Sequence, residues 1–171
     1  ANANASFGLG GRLGGTGGAN FTFGPTTNIW SGNGDAHIGL ILDDDTTSTI
    51  NITGEVFNNA VAGSNTQFNG EGVTILVRQR ASLSGSVKGS TFEGNAGGGL
   101  KLSVNGNSFP AFARITAFTI GGPNVADGNT FRNNNGDGLA IIRTGNGQVG
   151  STSTVLIQNN LFESNNFNAV I

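Results

Sequence analysis

Hydrophobic and polar positions alternate in short runs along this chain, and the runs recur around one phrase. The phrase is an aromatic residue, two further residues, usually Asn, then a small residue and an aliphatic strand. Its copies begin at Trp30, Phe57, Phe92, Phe131 and Phe162. Four continue with Asn three positions on, at Asn33, Asn95, Asn134 and Asn165, and the same four place Ile38, Leu100, Leu139 and Val170 eight positions after the aromatic. Each aromatic follows a β-branched or aliphatic residue (Ile29, Val56, Thr91, Thr130, Leu161), itself preceded by a polar one (Asn28, Glu55, Ser90, Asn129, Asn160). Alternation continues through Ile50-Asn51-Ile52 upstream and through Ile38-Gly39-Leu40, Val73-Thr74-Ile75 and Leu139-Ala140-Ile141 downstream. Period 2 over short runs bounded by Gly and Asn specifies strand, not helix.

Each phrase thus supplies two short strands with a Gly/Asn corner between them. A solenoid pairs each strand in parallel with its equivalent in the next copy, and the recurrence of residue type at equivalent positions favours this over hairpins. The aromatics are spaced by 27, 35, 39 and 31 residues, within the range of repeat architectures. Unequal spacing places insertions in turns, at Gly63–Gly70, Asn105–Arg114 and Thr144–Thr152. The expected fold is all-β: a right-handed parallel β-helix of about five rungs over residues 21–171, following a flexible Gly/Asn-rich arm at residues 1–20. Trp30, Phe57, Phe92, Phe131 and Phe162 form its aromatic column, and Asn33, Asn95, Asn134 and Asn165 a structural ladder at a sharp corner requiring left-handed backbone.

The segments Phe92-Glu93-Gly94-Asn95-Ala96-Gly97-Gly98-Gly99-Leu100 and Phe131-Arg132-Asn133-Asn134-Asn135-Gly136-Asp137-Gly138-Leu139 show the unit most clearly. Over residues 28–171 the chain resembles the right-handed parallel β-helix repeats of extracellular bacterial proteins. It is also similar to the Phe-x-x-Asn repeats of polymorphic autotransporter adhesins, although Gly98-Gly99-Leu100 stands where those carry Gly-Gly-Ala-Ile. The resemblance implies an extracellular or cell-surface location. It leaves open whether such a chain is an adhesin, a structural fibre, or a polysaccharide lyase or epimerase.

Composition narrows the chemistry. Eight basic and 10 acidic residues give a net charge of −2, which provides no footprint for nucleic acid. No apolar run reaches the ~18 residues of a membrane span. Cysteine is absent, so neither disulfides nor thiolate chemistry are available. The 30 Gly and 24 Asn suit corners with left-handed backbone. Asp43, Asp44 and Asp45 are the candidate ligands of a Ca²⁺ ion, the only cofactor suggested, provided a loop makes them converge. Asp35, Glu71 and Asp137 each follow Asn-Gly and could align as an acidic stripe. A lyase-like site would draw its base from Arg78, Arg80, Arg114, Arg132, Arg143, Lys88 or Lys101, with Trp30 and Phe109–Phe112 as sugar-facing aromatics. The single histidine, His37, fits a turn better than a catalytic role.

The leading expectation is a non-catalytic structural or adhesive module. The last strand starts at Asn168-Ala169-Val170-Ile171 and neither end carries a polar cap. Two readings follow: flanking rungs of a longer chain, or head-to-tail association with other copies into a filament or surface matrix. The alternative is a polysaccharide-binding or lyase/epimerase-type β-helix.

Overall fold

The computed structural model describes residues 6–65, 67–106 and 112–170. The chain visits three parallel sheets in turn. The first sheet stacks β1 (Leu9–Leu13), β5 (Ala36–Leu42), β8 (Glu71–Arg78), β11 (Leu100–Gly106), β14 (Asp137–Gly145) and β17 (Phe167–Val170). In the second, β2 (Thr16–Gly17) and β3 (Asn20–Phe23) lie against β6 (Asp45–Thr53), followed by β9 (Ser82–Lys88), β12 (Arg114–Gly121) and β15 (Gln148–Gln158). The third holds β4 (Ile29–Ser31), β7 (Val56–Asn58), β10 (Thr91–Glu93), β13 (Thr130–Arg132) and β16 (Leu161–Glu163). Among the described residues the only helical element is a 3₁₀ turn, Val125–Asp127.

Pairing in register places like on like. Trp30 pairs with Phe57, Phe57 with Phe92, Phe92 with Phe131 and Phe131 with Phe162. The inward residues of the first sheet repeat in the same way, Ile38 on Val73 on Leu100 on Leu139. All four of these aliphatic side chains, and Phe57, Phe92 and Phe131, are buried. From Phe57 to Phe162 the rings stack with centroids 4.8–5.0 Å apart and planes within 20°. Strand spacing of ~4.8 Å sets that distance. Each buried ring contributes roughly 2–3 kcal/mol through burial, an upper estimate, and neighbouring rings add about 0.5–1.5 kcal/mol.

The corner after the third sheet turns at one position. Gly32, Asn59, Gly94, Asn133 and Ser164, each two residues past the aromatic, have φ between 52 and 66°. Left-handed backbone therefore falls on the residue before the ladder Asn and not, as expected, on the Asn itself. The Asn is thereby free to point inward.

Insertions sit where register changes. Ile29 pairs with Val56 and Ile38 with Val73, so nine steps along one coil become 17 along the next. The added residues form the loop from Asn59 to Gly70, which includes the expected Gly63–Gly70 (Thr66 lies outside the described residues). Of the insertion expected at Asn105–Arg114, residues 107–111 are outside the described residues. Thr144–Thr152 does not form a loop. β14 and β15 run almost to each other, and the extra length is absorbed as a register shift against Ile115 and Ala117 of β12. A further insertion that the repeat did not reveal carries the 3₁₀ turn between β12 and β13.

The flexible arm at residues 1–20 is corrected from Leu9 onward. β1, β2 and β3 pair in parallel with the next coil, and Leu9, Leu13, Phe21 and Phe23 pack against the core. At Gly18 the glycine serves packing, since a Cβ there would lie 1.6 Å from the Thr47 carbonyl oxygen, whereas Gly15 and Gly17 serve the turn with φ of 87 and 145°.

Candidate functional site

Polar side chains are organised in two ladders that run through the corners flanking the third sheet. In the first, the Ala60, Asn95 and Asn134 N–H groups donate to Oδ1 of Asn95, Asn134 and Asn165 at 3.0–3.1 Å. Each of these Asn side chains also donates from Nδ2 to the carbonyl of the preceding aromatic, Phe57, Phe92 or Phe131. Asn95 Nδ2 reaches Asn134 Oδ1 at 2.9 Å, and Asn134 Nδ2 reaches Asn165 Oδ1 at 2.8 Å. One amide thus serves the coil below, the coil above and its own place in the row. The second ladder was visible in the sequence only as a recurring polar position. Glu55, Ser90 and Asn129 N–H donate to Ser90 Oγ, Asn129 Oδ1 and Asn160 Oδ1. Glu55 closes its lower end, accepting from Asn28 Nδ2 and from Trp30 Nε1 at 3.0 and 2.9 Å. Trp30 is accordingly half-buried and engaged, not a free sugar platform.

His37 repairs the one coil whose ladder position is Ala60. Asn33 Nδ2 donates to Nδ1 at 2.8 Å, and Nε2–H donates to the Asn58 carbonyl at 2.9 Å. Both partners fix the neutral tautomer. Burial drives the pKa down from 6.5 to about 4, against the pull of the Asn58 carbonyl. Between those pH values the unfolded chain binds a proton that the native imidazole does not, so stability is full above pH 6.5 and falls as pH drops towards 4. The expected loss is roughly 3 kcal/mol. Urea unfolding at stepped pH measures it, and His37→Gln should flatten the slope; an unchanged slope in that variant would refute the assignment.

The three carboxylates at 43–45 have separate partners. Asp43 is buried and accepts from Arg78 Nε and Nη2 at 2.9 and 2.8 Å, with Arg12 Nε at 2.6 Å. Burial opposes its charge, but Arg78 and Arg12 hold the carboxyl below the usual carboxylate range. Asp45 pairs with Arg80, whose guanidinium likewise lowers its pKa, and Asp44 accepts the Gly15 N–H. The Ca²⁺ reading required convergence; among the described residues no three acidic, His or Cys groups come together around one point. Asp43 and Asp44 sit in the turn between β5 and β6, where Asp44 takes a φ of 55°, and arginines 35 residues on pair with Asp43 and Asp45.

The acidic stripe is interrupted, although Glu71, Gly98 and Asp137 share one column of the first sheet. Glu71 and Asp137 are separated by the coil of Gly98, while Asp35 lies one position off, accepting from Ser6 Oγ and Asn65 N–H. Of the candidate bases, Arg114 donates to Ser82 Oγ, Arg132 pairs with Glu93, and Lys101 with Glu71 at 3.0 Å. Arg143 is exposed and Lys88 half-buried. Phe109, Pro110 and Ala111 lie outside the described residues, and Phe112 is half-buried.

Concave surface occurs on the outer face of the first sheet. Two adjoining hollows of about 250 and 210 Å³ cross β8, β11 and β14 and share Lys101. The Asn59–Gly70 loop borders them. Phe68 anchors it, buried against Ala36 and Leu76 and edge-on to Phe7 at 4.9 Å. A third hollow of about 270 Å³ lies beyond Phe68, beside Arg12. No protein-family model, curated protein or solved structure matches this chain.

Proposed function

We propose that the chain is a right-handed parallel β-helix acting as a non-catalytic structural and adhesive module at the cell surface or outside the cell. It associates end to end, with copies of itself or with flanking coils, as part of a filament or surface matrix. Right-handed coiling follows the general preference of parallel crossovers. The carrying observation is that the aromatic column runs uninterrupted to outermost strands that each have one neighbour among the described residues, β4 and β16 in the third sheet. Around them apolar side chains face solvent: Ile29 is 58%, Leu161 49% and Phe167 65% exposed. Such edges template further strands. The non-catalytic part is supported by the engagement of Arg78 and Arg114, the bases a lyase would need, with Asp43 and Ser82.

Light scattering and electron microscopy across a dilution series test the association. Species of rising mass, weakened by Leu161→Lys, are expected; discrete monomers at every concentration would overturn it.

A further inference from the structure

We infer that the paired hollows on the outer face of β8, β11 and β14 bind a neutral glycan, a linear chain of sugar rings without acidic groups. This goes beyond the structural reading and does not depend on end-to-end association, because the hollows lie on the side of the stack.

The charges decide against a polyanion. Arg78 and Lys101 both line the larger hollow, and each already faces a carboxylate, Asp43 and Glu71 respectively. The smaller hollow adds Asp137 to Glu71. Together the site carries no positive excess to draw a uronate or sulfate chain. Beside the Asp137 carboxylate, which accepts from a hydroxyl, the groups left for a ligand are neutral: Ser103, the Gln67 side-chain amide and Asn105.

Asn105 identifies the complementary group. Its Oδ1 is buried and has no hydrogen-bond partner among the described residues. A shielded acceptor without a donor costs about 1–3 kcal/mol. A sugar hydroxyl supplies that donor, whereas a carboxylate or sulfate ester can only accept. Leu76 on one side, and Ala140 and Ile142 on the other, offer apolar floor for the C–H faces of two successive rings. A few placed polar groups over an apolar floor is the general composition of a small-molecule site.

The test uses the 171-residue chain and NMR shift titration with cellohexaose, mannohexaose, xylohexaose and, as the charged probe, hexagalacturonate. At least one neutral hexasaccharide should bind saturably, with a Kd on the order of 0.1–1 mM. Affinity should hold when salt is raised roughly tenfold. Asn105→Leu should weaken binding at least about tenfold, equivalent to ~1.4 kcal/mol, while Arg132→Gln on the third sheet leaves it unchanged. Gln67→Ala, on the exposed loop, provides a second variant should Asn105→Leu fail to fold, and it too should weaken binding. Absence of binding by all three neutral probes, equal or tighter binding of hexagalacturonate, or unaltered affinity in the variants would overturn the site. Particle mass is read separately, so failure here leaves the association reading standing, and the converse.

Discussion

Phe92→Ala is expected to lower the unfolding free energy by about 3–5 kcal/mol. The ring is fully buried and lies between Phe57 and Phe131, with centroids 5.0 and 4.8 Å away. Truncation removes the transfer free energy of the ring, two stacking contacts and the support of both neighbours. The column cannot collapse into the gap, because strand spacing is fixed by backbone pairing of Thr91 and Glu93 on both sides. Phe92→Leu should recover part of the loss. Phe162→Ala supplies the internal control: this ring has a described neighbour on one side only and is half-buried, so its truncation should cost less than half as much. Urea unfolding followed by far-ultraviolet circular dichroism measures all three. Equal costs at Phe92 and Phe162 would show that stacking within the column does not carry the stability.

Asn134→Leu is expected to be of similar severity, roughly 3–5 kcal/mol, for a different reason. Leucine has the same branched skeleton and a larger volume, so no cavity forms. What disappears is the acceptor for Asn95 N–H and Nδ2, and the donor to the Phe92 carbonyl and Asn165 Oδ1. Asn95 is fully buried, so water cannot replace the missing partner. Each stranded buried group costs about 1–3 kcal/mol. Asn134→Asp should fall between, keeping the acceptor and losing the donor. A leucine variant as stable as the parent would reduce the ladder to a decoration of the corner.

The parts of the fold legible in the sequence are those governed by a repeated local rule. Phe57, Phe92 and Phe131 announce one column because a side chain's place in a parallel register depends on its position in the phrase. The inward aliphatic residues announce a second through alternation. What stayed hidden depends on partners a coil away or on backbone shape. β1 to β3 read as a linker because their glycines answer to backbone shape, which composition does not show: Gly18 has no room for a side chain, and Gly15 and Gly17 hold positive φ. His37 could not be recognised as a ladder element without knowing that Ala60 leaves a gap beside it. The partners of the Asp43–Asp45 run were hidden because they stand far off in sequence, Arg78 and Arg80 35 residues on and Arg12 before it. The hollows depend on the loop that Phe68 pins down, and nothing in the phrase encodes where that loop folds back.

The two ladders also bear on how such a chain can grow. Each amide answers only to the coil before and the coil after, and always with the same polarity. Ser90 and Asn129, like Asn95 and Asn134, are separated by 39 residues. A tandem copy of that interval, inserted in frame at Asn129, would meet an acceptor above and a carbonyl below at both corners. Length is therefore a property that recombination can change by whole coils while every buried amide stays satisfied.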